Sequence, residues 1–223
     1  MIAIPATSPA TVAPAPTFPP QRGFTLTEMA VVLLIVGLLI GGMIVPMATQ
    51  QDIRHASETQ KLITEVSEAL YGYAASHQAS DGRPYLPCPD SDGDGRENRN
   101  GNACVAPDGD LPWADLGLGR QDAWGNPLRY AVTDVFANNA TGFGLLAAGT
   151  QRVCADLTCT VIIATAVPVV LYSRGKNAAS EQTPGTTPPT FFQRPAATGY
   201  DDIVGWLPVT ILVSRMIAAG RLP

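Results

Sequence analysis

The sequence predicts an α+β protein: one long N-terminal helix, apolar in its first half and amphipathic in its second, packed on a C-terminal antiparallel β-sheet. Three observations carry this. From Met29 to Ala48 no residue is charged (MAVVLLIVGLLIGGMIVPMA), and about 20 apolar residues in a helix span a hydrocarbon core of about 30 Å. From Ile53 to Tyr73 apolar residues recur at spacings of three, four and seven, the period of a helix face. Beyond Asp81 the chain breaks into strand-length apolar runs separated by Gly, Pro, Asn and Asp.

Residues 1–23 (MIAIPATSPATVAPAPTFPPQRG) are rich in Pro and Ala, with Arg22 as their sole charge. Such a segment buries no core and reads as extended. Residues 24–48 form the apolar helix. Glu28 sits one turn inside its N-terminal edge. A carboxylate at membrane depth costs about 2.5–3.5 kcal/mol near the centre and less near the interface, so Glu28 requires a partner. Pro46 lacks a backbone donor and kinks the helix. Gly37, Gly41 and Gly42 permit close helix packing. A cleavable secretory signal would carry basic residues, a short apolar core and then small residues; this run is too long, and its charge lies at the wrong end.

Residues 49–80 continue the helix. Ile53, Ala56, Ile63, Val66, Leu70 and Tyr73 form the apolar stripe, with Asp52, Arg54, Glu58, Lys61, Glu65 and Glu68 between them. The helix is expected to end between Gln78 and Ser80, because Asp81-Gly82-Arg83-Pro84 is a turn signal.

Residues 81–223 form the β-rich globular domain. Asp90, Asp92, Asp94 and Gly95 match the first half of an EF-hand calcium loop, in which alternate carboxylates converge on a hard cation and glycine permits the sharp turn. The twelfth position is Gly101 rather than Glu, and flanking EF helices are absent; Asp108 or Asp110 could supply the missing ligand. The alternative is a solvated acidic turn held by a disulfide. Leu111 to Gly119 is irregular. Strands are expected over Leu128–Val135, Phe143–Ala148, Val161–Tyr172 and Ile203–Val213. Pro168 interrupts the third or places it at an edge. Cys88, Cys104, Cys154 and Cys159 fit an oxidising compartment. Four cysteines allow three connectivities. Sequential pairs, Cys88–Cys104 and Cys154–Cys159, are favoured because each brackets a short polar segment, the second closing a hairpin tip.

The run Arg22-Gly23-Phe24-Thr25-Leu26-Thr27-Glu28, followed by an apolar helix, resembles the N-terminal processing site of type IV pilins and type II secretion pseudopilins. The resemblance implies a leader over residues 1–23, cleavage after Gly23 by a prepilin peptidase, and N-methylation of Phe24. It also implies a partner for Glu28, namely the Phe24 amine of a neighbouring subunit, and such pairing offsets most of the cost of burying the carboxylate. Asp122-Ala123-Trp124-Gly125-Asn126-Pro127-Leu128-Arg129-Tyr130 resembles the D-x-W-G-N-P-x-x-Y segment of major pseudopilins. Ser173 to Asn177 with Tyr200 to Trp206 is similar to their calcium-binding region. On that resemblance Asp201 and Asp202 match ligand positions, while Asn177 stands where an Asp is usual and Arg174 and Lys176 add two cations. The alternative there is a strand–loop–strand whose Asp residues cap turns.

Formal net charge is −5, from Lys+Arg 14 and Asp+Glu 19, with no basic patch of the kind that tracks nucleic acid. No H-E-x-x-H, G-x-S-x-G or Walker motif occurs, and His55 and His77 lie far apart on the predicted helix. Gly142-x-Gly144-x-x-Ala147 formally matches a dinucleotide fingerprint but precedes a strand-like run, not a helix. An enzyme is therefore not expected. The expected protein is a pilin-like structural subunit of a type IV pilus or secretion pseudopilus. It would be anchored once in the inner membrane with its C-terminal domain in the periplasm. Its expected partners are other subunits, the prepilin peptidase and the assembly platform, with calcium as the one candidate cofactor. The competing reading is a membrane-anchored, calcium-dependent binding protein or adhesin, as in a minor tip pilin.

Overall fold

The computed structural model describes residues 23–197 and 199–223, without the side chains of residues 42–49. The leader reading over residues 1–22 lies outside the described residues; Gly42 and Pro46 lie within helix α1 (Leu26–Ser76), which runs through Pro46 without a break. The chain divides into two compact units, residues 1–48 and 49–223. Helix α1 belongs to both.

In the first unit, every described α1 side chain up to Gly41 is exposed, including Leu33, Leu34, Leu38, Leu39 and Ile40. Among the described residues no helix is long and apolar enough to cross a membrane; the end of the uncharged run, residues 42–48, is not among the side chains described.

In the second unit, α1 buries Thr59, Ile63, Val66, Leu70, Tyr73 and Ala74. The stripe expected from Ile53 is shorter than the sequence suggests: Ile53 is exposed, and burial begins at Thr59, whose hydroxyl accepts the Ala123 N–H at 3.3 Å. The helix ends at Ser76, and Gly82 (φ +81°) turns the chain as the Asp-Gly-Arg-Pro signal requires.

Among the described residues nine strands follow: β1 (Arg99–Asn100), β2 (Ala103–Cys104), β3 (Asp108–Asp110), β4 (Arg129–Val132), β5 (Gln151–Cys154), β6 (Ile162–Val167), β7 (Val169–Ser173), β8 (Thr190–Phe192) and β9 (Ile203–Leu207). Short helices α2 (Trp113–Leu116) and α3 (Asp134–Ala137) flank β4, and α4 (Val209–Ala218) closes the chain. An antiparallel sheet has the order β3-β4-β7-β9, and β1 pairs β2 as a separate hairpin. A third sheet, β6-β5-β8, is mixed, because β5 and β8 run parallel.

Every residue of β7 is buried, since its two faces meet different layers. Val169 and Leu171 join Leu70, Leu86, Tyr130 and Leu212 in the main core. Val170 and Tyr172 face Val153, Val167 and Phe191 of the three-stranded layer. The run Val161–Tyr172 is interrupted at Pro168, one of the two outcomes the proline allows: Pro168 carries the chain from β6 in one sheet to β7 in another, and its carbonyl accepts the Thr133 N–H.

Three other expected strands change. Leu128–Val135 stops at Val132 and becomes α3. Phe143–Ala148 is an irregular turn that buries Phe143 against Phe136, ring centroids 5.1 Å apart. Ile203–Val213 is a strand only to Leu207; Pro208 opens α4, which buries Leu212 and Met216 at helical spacing. A short apolar run bounded by a proline satisfies either period, and here the layer above α1 takes the helix.

Candidate functional site

Gly23 and Phe24 stand outside regular structure ahead of α1, and the Phe24 ring is largely exposed. The helix begins with a reciprocal cap. Thr25 donates its N–H and its hydroxyl to Glu28 Oε2, at 2.9 and 2.8 Å, and the Glu28 N–H reaches back to Thr25 Oγ1 at 3.2 Å. This is the T-x-x-E capping box, which satisfies two backbone donors that would otherwise be orphaned at the helix start. The family resemblance gives Glu28 a partner in another subunit and misses this local one, although the three-residue spacing of Thr25 and Glu28 is legible.

The Asp90–Asp94 loop brings the three expected carboxylates within 4.8 Å. Asp90 is buried, and both of its oxygens serve backbone: Oδ1 accepts from Asp92 and Gly93, and Oδ2 from Gly95 at 2.7 Å. Burial would raise the Asp90 carboxyl, but those three N–H donors outweigh it and hold it below its ordinary value. Asp92 and Asp94 are exposed; Asp94 caps the Arg96 N–H at 2.8 Å. Neither Asp108 nor Asp110 turns toward the loop as an extra ligand. Both accept from Arg129, Asp110 at 2.9 Å, and Tyr172 donates to Asp108 at 3.0 Å. The loop is tied down by the Cys88–Cys104 disulfide.

The second cluster is built differently. Asp201 and Asp202 meet Glu181, which the sequence reading did not include, with ligand oxygens within 4.8 Å of one another. Each carboxylate has one oxygen engaged by the protein. Asp201 Oδ2 accepts the Asn177 N–H at 2.9 Å, Asp202 Oδ2 accepts Glu181 N–H and Gln182 Nε2, and Glu181 Oε1 accepts Asn177 Nδ2. Each also has one buried oxygen without a donor among the described residues: Asp201 Oδ1, Asp202 Oδ1 and Glu181 Oε2. Burial pushes the Asp202 carboxyl up to about 7, while hydrogen bonds from Gln182 and the Glu181 N–H oppose this. Three carboxylates with one free oxygen each form a donor set suited to a hard cation.

The two flanking cations do not fill that place. Lys176 Nζ pairs with Asp52 on α1 at 2.9 Å, and Arg174 lies near Asp108, whose carboxyl burial holds above its ordinary value against Arg129, Tyr172 and, least, Arg174. The cluster opens on a cavity of about 500 Å³ lined also by Ile53, Trp124 and Arg194. Gly175 (φ +57°) lies so close to the Asp201 carbonyl that a Cβ would collide with it.

The Asp122–Tyr130 motif is a scaffold for this region. Asp122 Oδ1 accepts the N–H groups of Trp124 and Asn126, both at 2.9 Å; its Oδ2 accepts the Ser173 hydroxyl on β7. Asn126 donates to the Gly175 carbonyl at 2.6 Å. The formal glycine fingerprint also has a packing cause, since a Cβ on Gly142 would collide with the Arg83 and Pro84 carbonyls. The hairpin tip between β5 and β6 is closed by Cys154–Cys159, the second expected pair.

A family profile described as the prokaryotic N-terminal methylation motif matches residues 19–44. That span contains Gly23, Phe24, Thr25 and Glu28 and the described exposed apolar part of α1. No curated protein and no solved structure matches the chain.

Proposed function

We propose that the chain is a structural filament subunit, of a type IV pilus or a secretion pseudopilus, cleaved after Gly23 and methylated on Phe24. One observation carries the reading: the methylation motif over residues 19–44 leads into a helix whose described apolar side chains as far as Ile40 are all exposed. Apolar surface of that extent is unfavourable in water. A lipid bilayer covers it before assembly, and neighbouring α1 helices cover it afterwards. Cleavage turns the Phe24 nitrogen into a cation four residues from Glu28, and Glu28 of one subunit receives the amine of the next. Partners on this reading are other subunits, the prepilin peptidase and the inner-membrane assembly platform. The role is structural, and no reaction is assigned to the chain.

The free oxygens of Glu181, Asp201 and Asp202 favour a calcium ion at that cluster, where it would fasten the connection between β7 and β8 to the start of β9. Calcium then raises the melting temperature of the protein by binding the folded state alone. Asp202→Asn removes the rise, whereas Asp92→Ala leaves it; the reverse outcome would move the site to the Asp90–Asp94 loop, and no rise in the wild type would leave both clusters as capped turns. For assembly, sheared filament and membrane fractions are compared for wild type and Glu28→Ala. The expected result is normal membrane levels and depleted filaments, and wild-type incorporation of Glu28→Ala would contradict the pairing.

A further inference from the structure

We infer that a groove beside the C-terminal end of α1 binds an uncharged saccharide. The groove has a volume of about 410 Å³ and is lined by Tyr73, His77, Tyr85, Arg96, Glu97 and Asp115. Sites for small ligands enclose about 300–1,000 Å³. One wall is aromatic. Tyr73 and His77 lie one turn apart on the helix side, and their rings stack with centroids 3.8 Å apart and planes 9° from parallel. Tyr85 stands nearly perpendicular to both, at 5.9 and 6.2 Å. Tyr73 is buried, Tyr85 is half-buried and His77 is exposed.

The polar wall is carried by the Asp-rich turn. Asp90 holds the N–H groups of Asp92, Gly93 and Gly95, Asp92 caps Asp94 at 3.3 Å, and Asp94 caps Arg96 at 2.8 Å. This ladder of caps fixes the backbone that presents Arg96 and Glu97. Glu97 is held in turn. Its Oε2 accepts the Cys88 N–H at 2.9 Å, Arg99 binds both of its oxygens, and its own N–H donates to Asp115 Oδ2 at 2.7 Å. Arg99 also covers one face of Tyr85, 5.1 Å from the ring centroid. The Arg96 guanidinium and Asp115 Oδ1 keep no partner among the described residues. His77 Nδ1 lies 3.0 Å from the Tyr73 carbonyl. A carbonyl can only accept, so Nδ1 carries the proton, and neutral His77 offers Nε2 as an acceptor.

These groups select the ligand. Arg96 can only donate and Asp115 can only accept, whereas a hydroxyl does both. A sugar ring carries hydroxyls on its edge and a C–H face that packs on an aromatic ring. Charge excludes the alternatives. Arg96 and Arg99 balance Glu97 and Asp115, so an anion meets two carboxylates and a cation meets two guanidinium groups. Nucleic acid requires cations in excess. A purely apolar ligand would strip water from Arg96 and Asp115 and replace none of its hydrogen bonds. The stacked rings and Glu97 are in place before the ligand arrives, which lowers the entropic cost of binding. The site is independent of the filament reading and of the Glu181 cluster.

The test is an array of neutral and acidic oligosaccharides, probed with the full chain in lipid nanodiscs and with empty nanodiscs as control. The expected result is retention on neutral oligosaccharides alone. His77→Ala, Arg96→Gln and Asp115→Asn each weaken it about five-fold, the worth of one such contact. Asp115→Asn keeps an oxygen for the Glu97 N–H and turns the free acceptor into a donor. Lys61→Gln, on the exposed side of α1, leaves retention unchanged. All four positions are exposed, so the melting temperature stays at the wild-type value and separates lost binding from lost folding. Absence of retention on every neutral oligosaccharide, equal retention on the acidic ones, or retention that survives all three groove variants would each overturn the proposal. Free choline or free phenylalanine competing as well as the free sugar would make the groove an unselective aromatic surface and overturn it too.

Discussion

Glu28 has a local partner in Thr25 and a proposed distant one in the Phe24 amine, and the two roles predict different mutants. Glutamine serves a capping box as well as glutamate does, but it has no charge to offer an amine. If the cap is what matters, Glu28→Gln assembles like wild type; if the ion pair matters, it fails like Glu28→Ala. The sheared filament fraction separates them, and the expected outcome is failure. At Gly95, φ is +87° and a Cβ would strike the Trp113 indole. Strained backbone of this kind costs about 1–3 kcal/mol, so Gly95→Ala should lower the denaturation midpoint by that amount with the m-value unchanged. An unshifted midpoint would mean that Trp113 moves aside freely.

The two disulfides act on different elements. Cys88–Cys104 spans 16 residues and pins the Asp90 loop to the core; Cys154–Cys159 spans 5 and closes the β5–β6 tip. In the chain-entropy model a loop of about 15 residues is worth about 3 kcal/mol and shorter loops less. Replacing Cys88 and Cys104 by Ser should therefore cost more, in urea titration, than replacing Cys154 and Cys159. The β5–β6 tip has a second fastening, Asp156. It accepts from the Thr158 hydroxyl and from the N–H groups of Thr160 and Val161, and these hold its carboxyl well below the ordinary 3.8. A lowered folded value gives order that is full above the unfolded value and lost as pH falls below it. The protection of the Val161 amide, its exchange rate relative to the intrinsic rate at the same pH, should fall on acidification below about that value; protection that stays constant through this range would exclude Asp156 as the clasp.

Across the whole molecule, the local periodicities and turn residues were legible and the layer assignments were not. The α+β class, the helix through Leu70, the turn at Gly82 and both cysteine pairs follow from signals local in the sequence, the widest being the 16-residue separation of Cys88 and Cys104. The sheet change at Pro168 and the helix after Pro208 depend on which layer covers a run, and that is decided by distant residues such as Leu70 and Phe191. Glu181 joins Asp201 and Asp202 for the same reason, because β7, the connection that follows it and β9 bring it there from 20 residues away. The N-terminal motif is the opposite case, a contiguous signal that a family profile also finds. The central claim is that this motif is processed and that the exposed apolar helix it creates drives assembly. Mass spectrometry of the N-terminal peptide from the native, exported protein tests it most directly. The account predicts a peptide that begins at Phe24 and carries one methyl group on its amine; a peptide that retains residues 1–23 would contradict it.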